Sequence, residues 1–528
     1  MNLRKFSILI AVFAALALAA CSVVLGSLNH DEGWYLLAGI NTFRGMLPYR
    51  DYMFTQGPVM AAVYAVFAPL WSPFGALGGR VFTLTLSAVS LAMWCAVAKR
   101  LGGRGAALTV FLLLALNPVY SYFTVIPKTY ALSGLFIAAA FNELTSDKRF
   151  RFESAAVLLA LAAGTRLSLG ILLAVVGLWL LLQNAKMRKC ENEKTQNSEI
   201  PQLAWLRFGV AGVIALAVIY APFFIVCREQ FIFSQTYHAA RTSGGFFSWV
   251  VLRGGFVSRI LQGYFPILVT LIFAFFSNNG NNGKSNSDKF HFFHCLKNET
   301  ALVAVSFVAV SALHFLTPFP YDDYQTPVMP LAAVFAAVVL CKANDRSKDL
   351  SYLAALCLCF LVSSPMLMNW MMIRQDRFWF DMKKKPDILV LRETAKLIRN
   401  AAGEGESVMS GKNPLLTQDA YLAVEARMSV PRGLEMGPFS FFPELSDEEA
   451  LKHNVHNANT LREMILTTDA QFAAFSGYAF AISCPTTAKT TPEQVRPIIA
   501  AVLERYDLVD TVEDFGQEHT RLTVWELK

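Results

Sequence analysis

From Phe6 to about residue 370 the chain alternates apolar runs with short polar or basic breaks, and beyond that point the pattern is lost. The first run, Phe6 to Leu28, is long enough at ~1.5 Å of rise per residue to cross a hydrocarbon core of ~30 Å. Gly33 to Arg44 then places Trp34, Leu37 and Ile40 at helical spacing, which predicts a short amphipathic helix in the membrane interface, ended by Gly45 and Pro48. Val59 to Trp71 is apolar but too short to span, so it is expected to dip into the membrane or lie along it. Further spans are predicted near 76–98, 106–119, 129–145, 153–164, 167–183, 207–226, 260–277, 300–317, 327–341 and 351–370, about eleven in all.

The polar breaks supply a topology. Lys99-Arg100 with Arg104, Lys148-Arg149 with Arg151, Lys186 to Lys194, Lys284 to Lys297 and Lys342 to Lys348 all fall on one side if there are eleven spans. That is also the side of Arg4 and Lys5, and clustered Lys and Arg mark the cytoplasmic face. The expectation is therefore an N-terminus inside, a first external loop at 29–75, and a C-terminus outside the cytoplasmic (inner) membrane. Leu18-Ala19-Ala20-Cys21 also has the form of a lipoprotein cleavage box, but the apolar run continues past it to Leu28 and many spans follow.

Composition agrees: 55% of the 528 residues are hydrophobic and only 16% charged, too apolar for an ordinary soluble enzyme. The net charge of +7 is scattered among the breaks and forms no basic face for nucleic acid. Nine cysteines carry neither a CxxC nor metal-type spacing. The fold class is an α-helical polytopic membrane protein, residues 1–373, followed by an extracytoplasmic α/β domain at 374–528. In that second part Asp387–Arg399 and Pro492–Arg505 read as helices, and Ser407–Ser410, Gln471–Phe475 and Arg521–Leu527 as strands. It has no GxGxxG and no P-loop.

Candidate chemistry concentrates at Asn29-His30-Asp31-Glu32, two carboxylates set where a span leaves the membrane. Such charges are costly beside hydrocarbon and sit either in solvent or at a working site. Here they come with an aromatic interfacial helix, the turn Pro48-Tyr49-Arg50-Asp51-Tyr52, and Gly57-Pro58 opening a half-length apolar segment.

The run Asp31-Glu32-Gly33-Trp34-Tyr35, with Gly45, Pro48-Tyr49, Asp51, Gly57-Pro58 and Arg80 at the head of the next span, resembles the GT-C superfamily of membrane glycosyltransferases. Within it the chain is most similar to glycosyltransferase family 39, the protein O-mannosyltransferase and lipid A aminoarabinose transferase type. The resemblance covers residues 1 to about 370. It implies a catalytic Asp at Asp31, a second acidic position at Glu32, and transfer of a sugar from a polyprenyl-phosphate donor to an extracytoplasmic acceptor. No cofactor is obligatory, and dependence on a divalent metal is left open.

The residues make such a reaction chemically reasonable. A carboxylate with an ordinary pKa near ~3.9 is ionised and can take the acceptor hydroxyl's proton during attack. The phosphate leaves without a proton, so the second acid that glycosidases use on an alkoxide is not needed. Glu32 is then an orienting group. Cations for the phosphate are expected at Lys128, Arg80, Arg166 and Arg241, with Arg253 and Arg259 in the same external loop. Tyr49, Asp51, Tyr321, Asp322, Asp323 and Tyr324 are the candidate substrate-loop residues, and Asp322-Asp323 is either a weak metal site or a solvated turn. His30 and His314 lack ligand-spaced partners and are expected to pack or hydrogen-bond. The partners are membrane lipids, the lipid-linked donor and an unidentified acceptor. A polytopic transporter or lipid-linked flippase, or a non-catalytic envelope assembly protein, is the alternative to an enzyme, although neither mid-span charges nor related halves are evident.

Overall fold

The computed structural model describes residues 3–190, 203–236, 245–279, 298–343, 356, 385–402, 413–479 and 491–528. Its first twelve helices are α1 (Leu3–Leu25), α2 (His30–Phe43), α3 (Pro58–Val66), α4 (Ala68–Trp71), α5 (Gly75–Ala115), α6 (Pro118–Val125), α7 (Thr129–Leu144), α8 (Arg151–Thr165), α9 (Ile171–Cys190), α10 (Ala204–Val226), α11 (Arg228–Thr236) and α12 (Phe246–Asn279). Two further apolar helices, Asn298–Leu316 and Met329–Ala343, complete the membrane part among the described residues.

Each expected span among the described residues corresponds to a helix, but the expected count of about eleven is not reproduced there. Five helical stretches are long and apolar enough to cross a membrane, and up to seven if two sharply bent pairs each count as one span. One bent pair is α1 with α2, turning by 85°, and the other is α6 with α7, turning by 106°. The expected break between 98 and 106 is present within α5 at Gly103, whose φ 82° and ψ −172° divide it into two helices across a kink. The expected span at 351–370 lies, Leu356 apart, outside the described residues. Side chains of α10 such as Val213, Val218 and Ile225 are largely exposed, an apolar face that needs lipid as its solvent.

The C-terminal part forms a four-stranded sheet in the order β1-β2-β4-β3, from β1 (Leu415–Thr417), β2 (Phe472–Phe475), β3 (Tyr506–Phe515) and β4 (Thr520–Leu527). β1 and β2 run parallel, and β4 lies antiparallel to both β2 and β3. Helices Asp387–Ala401 and Pro492–Arg505 and strands β2 and β4 stand where the sequence pattern puts them, while the expected strand at Ser407–Ser410 lies outside the described residues.

Helix α2 begins at His30, three residues before the expected start, and most of it has no wet face. Trp34 to Asn41 are all buried along it. Helix α3 and the C-terminal domain cover it together: Leu36, Tyr49, Tyr64, Tyr421, Phe441 and Phe472 belong to one continuous apolar core. Gly33 permits this approach, because a Cβ there would strike the backbone of Ala420 and Tyr421 at the start of helix Ala420–Ala426. Polar ties reinforce it. Leu28 N donates to Asp387 (3.2 Å), Asn454 Nδ2 donates to the carbonyls of Tyr49 and Arg50 (3.1 Å each), and Glu425 accepts from Ala76 N at the start of α5 (2.8 Å).

Candidate active site

The start of α2 separates the two adjacent carboxylates. Asn29 caps the helix, its side chain accepting from Asp31 N at 3.1 Å while Glu32 Oε1 accepts from Asn29 N at 2.9 Å. Successive residues on a helix point about 100° apart, so Asp31 and Glu32 face different surroundings. Glu32 is fully buried and takes both arms of Arg80, Nε to Oε2 and a terminal nitrogen to Oε1, each at 2.7 Å. Arg80 also donates to the carbonyls of Val23, Gly26 and Ser27 (2.9 Å each), which tie off the end of α1. Arg80 is therefore not a surface cation for a donor phosphate, as the sequence led one to expect, but half of a closed pair with no exposed surface.

Asp31 turns the other way, into a cavity of about 310 Å³. Lys128 Nζ lies 2.8 Å from Asp31 Oδ2 and 2.9 Å from Asp323 Oδ2, bridging the two carboxylates. Burial alone would disfavour the ammonium, but the two carboxylates outweigh it and hold the Lys128 pKa above its usual value. The same pairing overrides the burial of Asp323 and keeps its pKa below the ordinary carboxylate range. Arg166 also lines the cavity, its guanidinium 4.1 Å from the ring centre of Tyr324 and 5.2 Å from that of Tyr130. Among the described residues Arg166 makes no ion pair, and its Nε has no hydrogen-bond partner.

Of the expected site residues, Asp31, Lys128, Arg166, Tyr321, Asp323 and Tyr324 come together on this cavity. The others do not line it. Tyr49 is buried with φ 69°, its hydroxyl donating to the carbonyl of Gln56 at 2.6 Å, so it shapes the turn leading to Gln56, which does line the cavity. Asp51 is held by Arg50 and by Leu47 N. Asp322 pairs with Arg259 at 3.3 Å, and Arg253 donates to the carbonyls of Thr317 and Pro318, so both arginines brace the 317–325 loop. Arg241 lies outside the described residues. Asp322 and Asp323 pair with different cations, and no cluster of three or more His, Cys, Asp or Glu lies among the described residues. His314 is buried beside Ser168 and Gln325, within 3.3 Å of each, a packed polar role.

Several lining residues were not singled out as site residues from the sequence. Tyr35 and Tyr130 sit beside residues that were, but Met436, Phe439, Tyr478, Gln517 and Glu518 come from the C-terminal domain, which carries no motif pointing to them. His30 joins the two parts: its ring stacks on Tyr478 with centroids 3.3 Å apart, and its backbone N–H donates to Gln517 Oε1 at 2.9 Å. A second cavity, of about 320 Å³ and walled by Leu167, Leu313, His314, Pro318 and Phe319 among others, shares Thr55, Gln56, Arg166 and Tyr324 with the first.

Neither a family model nor a curated protein matches this chain. Solved structures do. The chain is similar to ArnT from Cupriavidus metallidurans bound to undecaprenyl phosphate, with a TM-score of 0.59 and 12% identity over 98% of each chain. It is also similar to the apo state of that protein, with a TM-score of 0.61 and 13% identity over 99% of this chain and 98% of the other. The likeness extends through the C-terminal domain, well beyond the first 370 residues. The chain therefore shares the fold of ArnT over nearly its whole length.

Proposed function

We propose that this protein is an inverting glycosyltransferase that moves a sugar from a polyprenyl-phosphate donor to an acceptor hydroxyl, with Asp31 as general base. The observation carrying this reading is the open cluster Asp31–Lys128–Asp323 beside Arg166, in a cavity on a fold shared with a protein solved with undecaprenyl phosphate. The acceptor oxygen attacks the anomeric carbon as its proton passes to Asp31. The bond from that carbon to the phosphate oxygen breaks, and its electron pair leaves with the polyprenyl phosphate. Attack opposite the leaving group inverts the anomeric centre.

The charges suit that step. Asp31, Lys128 and Asp323 sum to one negative charge, and Arg166 brings the set to neutral, so the donor phosphate meets two cations without an excess of either sign. Lys128, already held by Asp31, couples base and phosphate: as negative charge leaves Asp31 on protonation, the ammonium is freer to serve the phosphate. Glu32 and Arg80 act one layer back by fixing the start of α2. The same reading puts the N-terminus in the cytoplasm and the cavity and C-terminal domain on the outer side of the inner membrane.

The test uses membranes containing the full-length protein, supplied with sugar-bearing undecaprenyl phosphate and envelope lipid, glycan or protein acceptors. Wild-type protein is expected to transfer the sugar and release undecaprenyl phosphate, and Asp31→Asn, inserted to the same level, to do neither. Transfer retained by Asp31→Asn removes that residue from the mechanism. A wild-type protein that neither transfers sugar nor binds undecaprenyl phosphate overturns the reading. A reporter fused after Lys528 is expected to be active only outside.

A further inference from the structure

The cavity is polarised. On the wall built by the membrane helices lie the two cations, Lys128 and Arg166. The start of α2 and the C-terminal domain contribute Asn29, Trp34, Met436, Phe439, Tyr478, Gln517 and Glu518 to the rest of the lining, with no Lys or Arg among them. Rings interleaved with planar amide and carboxylate groups match the two surfaces of a sugar, an apolar C–H face that lies on an aromatic ring and an edge of hydroxyls that pair with amides and carboxylates.

Two details make this wall a built surface. Trp34 is buried and lines the cavity, and among the described residues its buried indole N–H has no hydrogen-bond partner. An orphaned buried donor is destabilising until a ligand or water answers it. The β3–β4 turn that presents Gln517 and Glu518 is held in place: Gly516 adopts φ 74°, and a Cβ there would run into the Tyr421 hydroxyl. Gln517 Oε1 is already engaged by His30 N, which leaves the amide hydrogens of Gln517 as donors for a ligand. The turn is thereby bolted to the residue preceding Asp31.

We infer that Trp34, Tyr478, Gln517 and Glu518 form the glycosyl subsite of this cavity, holding a polyhydroxylated ring while Lys128 and Arg166 hold phosphate. The inference rests on the function proposed above and assigns sugar selectivity to the C-terminal domain. The ring belongs either to the donor or to a glycosylated acceptor, since the chemistry is the same.

The experiment measures binding by the full-length protein in lipid nanodiscs of bare undecaprenyl phosphate, and of undecaprenyl phosphate carrying a neutral hexose, a pentose or an amino sugar. Trp34→Phe keeps a ring and removes the N–H, and Glu518→Gln keeps the shape and removes the charge. Each is expected to weaken the sugar-bearing lipid about five- to tenfold, the loss of one good hydrogen bond, with bare undecaprenyl phosphate changed less than twofold. Unchanged binding of both lipids with a similar rise in the KM for a glycosylated acceptor places the acceptor ring there instead. Equal weakening of bare and sugar-bearing lipid, or no change in either binding or acceptor KM, overturns the subsite. A wild-type protein that binds neither lipid is a different failure, that of the proposed function itself.

Discussion

Two carboxylate–cation clusters arise from consecutive residues at the start of α2, and they differ in whether any capacity is left for a ligand. Around Glu32 every group is spoken for: the carboxylate takes Arg80 bidentately and the Asn29 N–H, and the remaining guanidinium donors go to three carbonyls of α1 and its exit. Around Asp31 one ammonium serves two carboxylates, the Asp31 side chain keeps 29% of its surface, and the Arg166 guanidinium, with no ion pair among the described residues, lines the same cavity. Satisfaction makes the first cluster structural, whereas shared and incomplete pairing lets the second exchange a partner for a substrate.

The sharpest way to break this contrast is at Asp31. Asp31→Asn is expected to lower transfer by about 10²–10⁴-fold, the usual worth of a general base, with thermal stability of the purified protein little changed. Loss of folding would make Asp31 a second structural carboxylate. Arg80→Met is expected to do the reverse, destabilising the protein by about 3–5 kcal/mol because it strands a buried carboxylate. Denaturation and membrane-insertion measurements check this, and a stable but inactive Arg80→Met would move Arg80 into the chemistry.

Asp419 extends the comparison to a carboxylate buried without a cation. It accepts from Ser476 N and Oγ and from the Tyr421 hydroxyl, yet burial pushes its pKa up to about 6. Its unfolded value is ~3.9, so between those values the folded chain binds more protons than the unfolded one. Its contribution to stability is fully present below about pH 4 and is lost as pH rises toward 6, by roughly 2–3 kcal/mol. Glu435, raised to about 7 by burial, prolongs the decline. Melting curves from pH 4 to 7 are expected to flatten in Asp419→Asn, and an unchanged slope would show that its proton is not the cause.

Lys128→Met leaves Asp31 and Asp323 facing each other without their shared cation and is expected to weaken undecaprenyl phosphate binding about tenfold, the ~1.4 kcal/mol typical of a charge-assisted contact. The smallest effect belongs to Asp322→Asn. Its pair with Arg259 is long and partly exposed, so a stability change within ~1 kcal/mol is expected by thermal melting.

Much of the membrane part was legible in the sequence because lipid demands continuous apolar runs whatever their neighbours do. Local signals also held: Pro492 opens a helix that runs to Arg505, and the α6–α7 break falls at Ile126-Pro127-Lys128. The strand β3 was missed because Asp507, Asp510, Glu513 and Asp514 mask its alternation, and as an edge strand it needs only one partner. What covers the expected interfacial helix at Gly33–Arg44 was not legible for a related reason. An amphipathic pattern states that one face will be covered, and it does not say whether by lipid or by a domain nearly 400 residues further along.

By itself the sequence determined the apolar segments and the presence of a carboxylate pair where the first helix ends. Those depend on neighbours within a few residues and on the solvent. Tertiary structure alone decided which carboxylate received Arg80 and which Lys128, and which wall of the cavity Gln517 and Glu518 would build. Charges and hydrogen bonds of that kind act over a few ångströms of space between residues as far apart as 31 and 323, or 30 and 517, and no local pattern in the chain encodes that distance.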